Sequence, residues 1–413
     1  MTTQAKTTWQ RVRLGDVANV LPGFAFKSSE FKKNGDIPVI KIKNITNDLN
    51  VSIENGEYLD ESALNKKTKK YLISNGDILV AMTGATAGKV GKFRSNRKAL
   101  LNQRVAKISP KNIDPNFLWV LLGNKDSINL LYRLADGAAQ PNMSGGQIEN
   151  MEFKIPARIE DQKSIADILS TYDDLFENNT KRIKILEEMA QAIYKEWFVK
   201  PVNSGELPCG WEMSTLGEHL SGLESGSRPK GGVGEIKEGV PSVGAENING
   251  IGRHDHNSEK YIAKEFFEKM KRGIVQDRDV ALYKDGAYIG RSSYFRDGFP
   301  HKNFSVNEHV FLLRSSGERI TQNLLYLWLR EPDTIHEIRA TNANAAQPGI
   351  NQPGVRGLKI ILPPQKMVET FDAKVEPILA SIINLAKQNN ELRQARDLLL
   401  PKLIDGEMEV KNS

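Results

Sequence analysis

The feature that most restricts the fold of this chain is that it repeats itself. Trp9 is followed five residues on by Leu14-Gly15-Asp16, and Trp211 is followed five residues on by Leu216-Gly217-Glu218, an offset of 202. Pro38 with Asn44-Ile45 matches Pro241 with Asn247-Ile248 at 203, and Asp77-Ile78 matches Asp279-Val280 at 202. Each of the last pair opens an apolar stretch that ends in a glycine loop, Gly84-Ala85-Thr86-Ala87-Gly88-Lys89 in one copy and Gly286-Ala287-Tyr288-Ile289-Gly290-Arg291 in the other. Asn102-Gln103-Arg104-Val105 then pairs with Asn307-Glu308-His309-Val310, and Asn116-Phe117-Leu118-Trp119 with Asn323-Leu324-Leu325-Tyr326. Ala138-Ala139-Gln140-Pro141 pairs with Ala345-Ala346-Gln347-Pro348, by now at 207. So many matches in one order, with a slowly growing offset, mark a duplication. Whatever fold the first half adopts, the second must adopt as well.

Each half leads into a long helical pattern. In the run from Ile165 to Trp197, which holds no Pro or Gly, Ile165, Ile168, Tyr172, Leu175, Asn179, Leu186, Met189 and Ile193 follow heptad spacing. Near the C-terminus Phe371, Val375, Ile378, Ile382, Leu385, Asn389, Leu392, Arg396, Leu399 and Leu403 do the same. At about 1.5 Å per residue the first run spans roughly 50 Å, longer than a domain needs for a core helix, so a spacer is expected. The two runs are natural partners, and Asn179 and Asn389 near their middles are the kind of seam residue that fixes register. Separate packing of each helix on its own globule is the alternative. Pro377 predicts a kink or a fresh helix start.

The expected architecture is therefore α+β. Two similar globular domains (1–157 and 201–363) hold short alternating strands, a central glycine loop and late helices. They are joined by two long antiparallel coiled-coil helices (158–200 and 364–413), with pseudo-twofold internal duplication and a linker at 200–208. Antiparallel helices would set the globules at opposite ends of a rod.

Composition narrows the class. With 39% apolar and 26% charged residues, and with neither an apolar run near 18 residues nor a leader peptide, the chain reads as cytoplasmic with no membrane role. The single cysteine, Cys209, excludes an internal disulfide and a cysteine-based zinc cluster. Net charge is +6 but unevenly spread: residues 1–157 hold 23 basic and 14 acidic groups, whereas 201–363 hold 20 of each. Between Asp77 and Asp114 lie eight basic residues and no acidic one, a block suited to a polyanion.

Catalytic signatures are missing. A nucleotide-binding loop needs four residues between its glycines and Ser or Thr after the Lys; here three intervene and Val90 follows Lys89. A tight turn needing positive φ is the plain reading of the loop, and close approach of its amides and cation to phosphates is the functional one. His254-Asp255-His256 presents two imidazoles on one strand face, yet no further His or carboxylate is spaced to complete a metal site, so a surface turn and no metal are expected. Pro332-Asp333 with Glu337-Ile338-Arg339 echoes a nuclease pattern at too short a spacing, and reads as helix. No Asn-Pro-Pro-aromatic run for adenine methylation is present. The chain looks like a reader whose chemistry resides elsewhere.

Taken together, the duplicated globule-helix plan, the loops ending Gly88-Lys89 and Gly290-Arg291, the Ala-Gln-Pro turns and the Ile155-Pro156 and Leu362-Pro363-Pro364-Gln365 helix entries resemble the specificity (S) subunit of type I restriction-modification enzymes. That resemblance implies two target recognition domains, each reading half of a bipartite target in double-stranded DNA, with the coiled coil setting the gap. It further implies docking to two methylation (M) subunits, with restriction (R) subunits joining through them. S-adenosylmethionine, ATP and Mg are then used by those partners and by no site on this non-catalytic chain. The usual helix entry, Pro-Pro-x-x-Glu-Gln, is altered: Pro156 is followed by Glu160-Asp161-Gln162, and the second copy reads Pro363-Pro364-Gln365-Lys366.

Candidate phosphate contacts are Lys89, Lys92, Arg94 and Lys98 in the first globule and Lys284, Arg291, Arg296 and Lys302 in the second. Base reading falls on Asn102, Gln103 and Arg104 and on Asn307 and His309, since amides and guanidinium groups suit adenine and guanine edges. For these five a role as buried strand polar groups remains open. A protein-only coiled-coil adaptor is the rival function, and it leaves the basic block idle.

Overall fold

The structure is a computed structural model that describes residues 7–47, 49–54, 56–135, 142–202, 206–234, 236–341, 349–408 and 410. The two Ala-Gln-Pro segments, 138–141 and 345–348, lie outside the described residues. The chain divides into two compact units, Met1–Asp174 with Gln394–Ser413, and Leu175–Arg393.

In the first unit Ile78–Ala81 is apolar and buried at every position, and it takes the centre of a five-stranded sheet. The strand order is Ala18–Pro22, Val105–Pro110, Ile78–Ala81, Val90–Phe93, Asn50–Val51. Neighbours run antiparallel except the last pair, which is parallel. A four-stranded sheet (Glu57–Leu59, Ile37–Ile40, Ala99–Leu101, Leu72–Ile73) and a ribbon of Trp9–Arg13 with Glu152–Pro156 complete it.

The second unit repeats the five-stranded sheet and the ribbon, with one strand fewer in its remaining sheet. Leu220–Ser225, Val310–Ser315, Asp279–Tyr283, Ser292–Phe295 and Gly250–Ile251 form the same five-stranded order with the same directions. Glu212–Thr215 pairs with Lys359–Leu362 as the ribbon, and Tyr261–Ile262, Val240–Val243 and Ser305–Val306 form a smaller sheet. The segment carrying Pro332 is a helix, Pro332–Ala340. The duplication read from scattered matches is thus a duplication of topology.

Both glycine loops are tight turns. Gly84, Gly88, Gly286 and Gly290 have φ of 77°, 87°, 61° and 87°, a region that L side chains rarely adopt. At Gly88 a Cβ would also lie 2.8 Å from the backbone nitrogen of Tyr132, so the loop packs directly on the helix Lys125–Ala135.

Of the long helices, the central one is Ile159–Tyr194, running on into a π turn at Lys195–Val199, and the C-terminal one is Gln365–Ile404. The second passes through Pro377 without restarting, contrary to one expectation above. Within the second unit they run antiparallel: the Arg393 guanidinium lies 5.1 Å from the Phe176 ring centroid, Asn389 Nδ2 donates to Thr180 Oγ1 at 3.4 Å, and Tyr194 meets Phe371 edge-on. Within the first unit Arg396 Nη1 donates to Asp173 Oδ1 at 2.9 Å. Asn179 and Asn389 are both buried.

The C-terminal stripe is buried largely as read, but the central stripe only in part, with Ile165 and Asn179 buried. Leu169, Ile183, Ala190 and Tyr194 are buried there, whereas Ile168, Leu175 and Met189 are exposed. Small alanines carry part of the true seam, and larger apolar residues occupy an outer face that periodicity alone does not separate from it.

The altered helix entry has a physical reading. Gln162, almost fully buried, accepts the Asp114 N–H through Oε1 at 3.0 Å and donates from Nε2 to the Pro156 carbonyl at 2.8 Å. Asp114 in turn caps the helix Pro115–Leu122 by accepting the Asn116 and Phe117 amides. In the second copy Thr321 caps the helix Gln322–Leu329, and its Oγ1 donates to Asp372 Oδ1 at 2.6 Å. Each copy ties its long helix to the cap of its own late helix with different side chains.

Candidate nucleic-acid interface

Strand pairing brings the glycine loop and the asparagine turn together in each unit. In the first, Val105 faces Ala81 and Val80 faces Val90, so the loop 84–88 and the turn 102–104 leave the same end of the sheet. The Met82 N–H donates to the Arg104 carbonyl at 2.9 Å. Lys89, Gln103 and Arg104 therefore share one edge, the last two exposed. Asn102 is buried, and its carbonyl accepts the Val105 N–H to close the turn.

The other predicted cations lie elsewhere. Lys92 faces Ile78 at the far end of the strand, and its Nζ lies 5.7 Å from the Trp119 ring centroid. The Arg94 guanidinium lies 5.6 Å from the same ring. Trp119 Nε1 donates to Asp173, and Lys98 is exposed ahead of the strand Ala99–Leu101. The structure thus splits one predicted patch into two.

The second unit has the same edge with different side chains. The Lys284 N–H donates to the His309 carbonyl at 3.0 Å, and His309 Nδ1 lies 2.7 Å from Asp285 Oδ2. Asn307 Oδ1 accepts the His309 N–H at 3.0 Å, so that amide oxygen builds the turn. Lys284 Nζ lies 5.2 Å from the Phe311 ring. Arg291 is exposed, stacks on the exposed Tyr288 ring at 4.0 Å and donates to Asn249 Oδ1 at 3.1 Å. Beside it a cleft is lined by Asn249, Gly290, Arg291, Ile335, Arg330 and Arg339. Arg330 is held by Glu187, and Arg339 Nε donates to the Ile289 carbonyl. Sequence reasoning did not join these two arginines to the loop because they follow it by forty to fifty residues, although Arg339 stood out there as part of the nuclease-like echo.

Two expectations are corrected. Arg296 is not placed for a phosphate: its side chain is 2% exposed, donating to Glu376 at 2.6 Å and to Asp297 at 2.9 Å. Arg278 and Asn323 donate to the same Glu376 carboxylate at 2.7 and 2.8 Å. Burial pushes the Glu376 carboxyl up, but the hydrogen bonds from Arg296, Arg278 and Asn323 outweigh that and hold it down at about 2. His254-Asp255-His256 is likewise no surface turn. The His254 side chain is 1% exposed, and the fold brings Glu259 and His301 to within 4.8 Å of both imidazoles. Lys302, next to His301, is exposed.

Residues 6–188 match the family described as type I restriction modification DNA specificity domain. The chain is 27% identical to the type I restriction enzyme MjaIX specificity subunit of Methanocaldococcus jannaschii, over 98% of this chain and 94% of that one. With the EcoBI specificity subunit of Escherichia coli it shares 25% identity, over 97% and 86%. The crystal structure of the type I restriction-modification S subunit from M. genitalium superposes with a TM-score of 0.57 at 16% identity, covering 98% of each chain, which shows a shared fold. With a domain model matching residues 6–188, relatives matched nearly end to end at 25–27% identity and a shared fold, the chain is similar to the specificity subunits of type I restriction-modification enzymes.

Proposed function

We propose that each unit reads one half of a bipartite double-stranded DNA target, and that the chain directs adenine methylation and cleavage by partner M and R subunits that use S-adenosylmethionine, ATP and Mg. The observation that carries this reading is the duplicated edge, where a glycine loop and an asparagine turn leave the same end of two sheets with identical strand order. Identical frames bearing different side chains, Gln103 and Arg104 against Glu308 and His309, suit two readers of different sequences. Exposed Leu175, Ile185 and Met189 on the central helix supply an apolar face for an M subunit.

The test is adenine-methylation sequencing of a host expressing the chain with its M partner. A split motif with a fixed gap, lost when the chain is deleted, is expected; a continuous motif, or none, refutes the reading. In the same assay Arg104→Ala should relax one position of one half-site, with about 1–3 kcal/mol of discrimination lost. Lys89→Ala should weaken matched and mismatched DNA equally and lower the salt slope by about one. The reverse pattern would reassign both side chains.

The gap itself is proposed to follow helix length. Segments 176–182 and 387–393 pair across the two helices, as Phe176 with Arg393 and Thr180 with Asn389 show. Deleting both removes about 10 Å of helix, so the permitted gap should shorten by about three base pairs with both half-sites unchanged. An unaltered methylated motif would sink the ruler.

A further inference from the structure

Three imidazoles and one carboxylate of the second unit converge on a single point. Glu259 Oε1 lies 2.5 Å from His254 Nε2, 2.9 Å from His256 Nδ1 and 2.5 Å from His301 Nε2. The rings are mutually tilted, with interplanar angles of 68°, 88° and 85°, as ligands around one centre are. Glu259 Oε2 is already occupied, accepting the Tyr261 hydroxyl at 2.6 Å. Hydrogen bonding alone therefore asks one carboxylate oxygen to take three imidazole N–H donors.

We propose that His254, His256, Glu259 and His301 form a closed four-ligand site for a divalent transition metal, Zn²⁺ in the first instance, that staples loop 252–260 to loop 296–304. Three neutral imidazoles with one carboxylate, and no open position, are the donor set of a structural tetrahedral zinc centre. All ligand atoms lie within 4.8 Å of one another, and a tetrahedron with bonds of about 2.1 Å sets them about 3.4 Å apart, so the imidazoles close in while Glu259 Oε1, now 2.5 to 2.9 Å from each, moves outward. The partly exposed His256 and His301 rings have room for that small inward rotation.

The surroundings are those of a metal site. His256 Nε2 lies 3.1 Å from Asn390 Oδ1 on the C-terminal helix, which fixes the tautomer that offers Nδ1 inward, and the Tyr261 hydroxyl leaves Oε1 as the carboxylate's ligand atom. The site has no counterpart in the first copy, since none of the six histidines precedes His219.

The experiment uses the untagged full-length chain, stripped with chelator and titrated with Co²⁺ alone. One equivalent should bring up the intense d–d bands of tetrahedral cobalt, and Zn²⁺ should then displace it. His254→Ala combined with His301→Ala should abolish the signal, and Asn390→Ala should weaken metal binding about tenfold. Should the double variant fail to fold, His301→Cys decides the matter by adding a thiolate-to-cobalt charge-transfer band. Absence of tetrahedral cobalt in the parent chain, undiminished binding in the double variant, or a His301→Cys chain without the new band overturns the proposal.

Discussion

Replacing Glu376 with alanine is expected to destabilise the second unit by about 3–5 kcal/mol, measured by urea unfolding of the full chain. Most of that cost comes from Arg296, which at 2% exposure keeps its charge while losing its principal carboxylate. Asp297 still holds the Nε edge, which sets the outcome near the lower end of the range. Arg278 and Asn323 lose the same acceptor. The folded carboxyl titrates at about 2, below its ordinary 4.5, so its contribution is complete above about pH 4.5 and is lost as pH falls towards 2. The parent chain should show this acid limb and the variant should lack it. A loss under about 1 kcal/mol would show that Arg296 is not anchored there.

Phe371→Ala should cost a similar amount, about 3–5 kcal/mol, through the cavity it opens. Phe371 is fully buried near the start of the C-terminal helix, and its ring lies 4.7 Å from Phe198, 6.1 Å from Trp197 and 6.2 Å from Tyr194. One truncation unseats the end of the central helix from its partner. Phe371→Leu, which keeps most of the volume, should recover the greater part of the loss. Equal unfolding of the two variants would mean that this aromatic cluster is not a seam but a local patch.

How much could be read from sequence follows from the range of the forces involved. Periodicity and repeat order are carried by local spacing, and they made the duplicated globules and both long helices legible. Register was harder, because Ala166 and Ala190 bury fully yet signal weakly, while Met189 and Leu175 signal strongly from an outer face. Electrostatic fate was not legible. Arg296 and Arg291 stand five residues apart, and a carboxylate eighty residues away at Glu376 engages only the first. His301 was invisible as a partner of His254 for the same reason, since only the return of loop 296–304 brings it near.

The bond network around Gln162 bears on how such proteins are recombined. Because that side chain locks the start of the central helix to the cap at Asp114, the first folded unit does not end where its last strand does at Pro156. A chimaera joined at Pro156 parts the amide from its acceptor and frees the angle at which the helix leaves. One joined beyond Gln162 carries the hinge with the first unit, and should move that unit as a single transplantable piece.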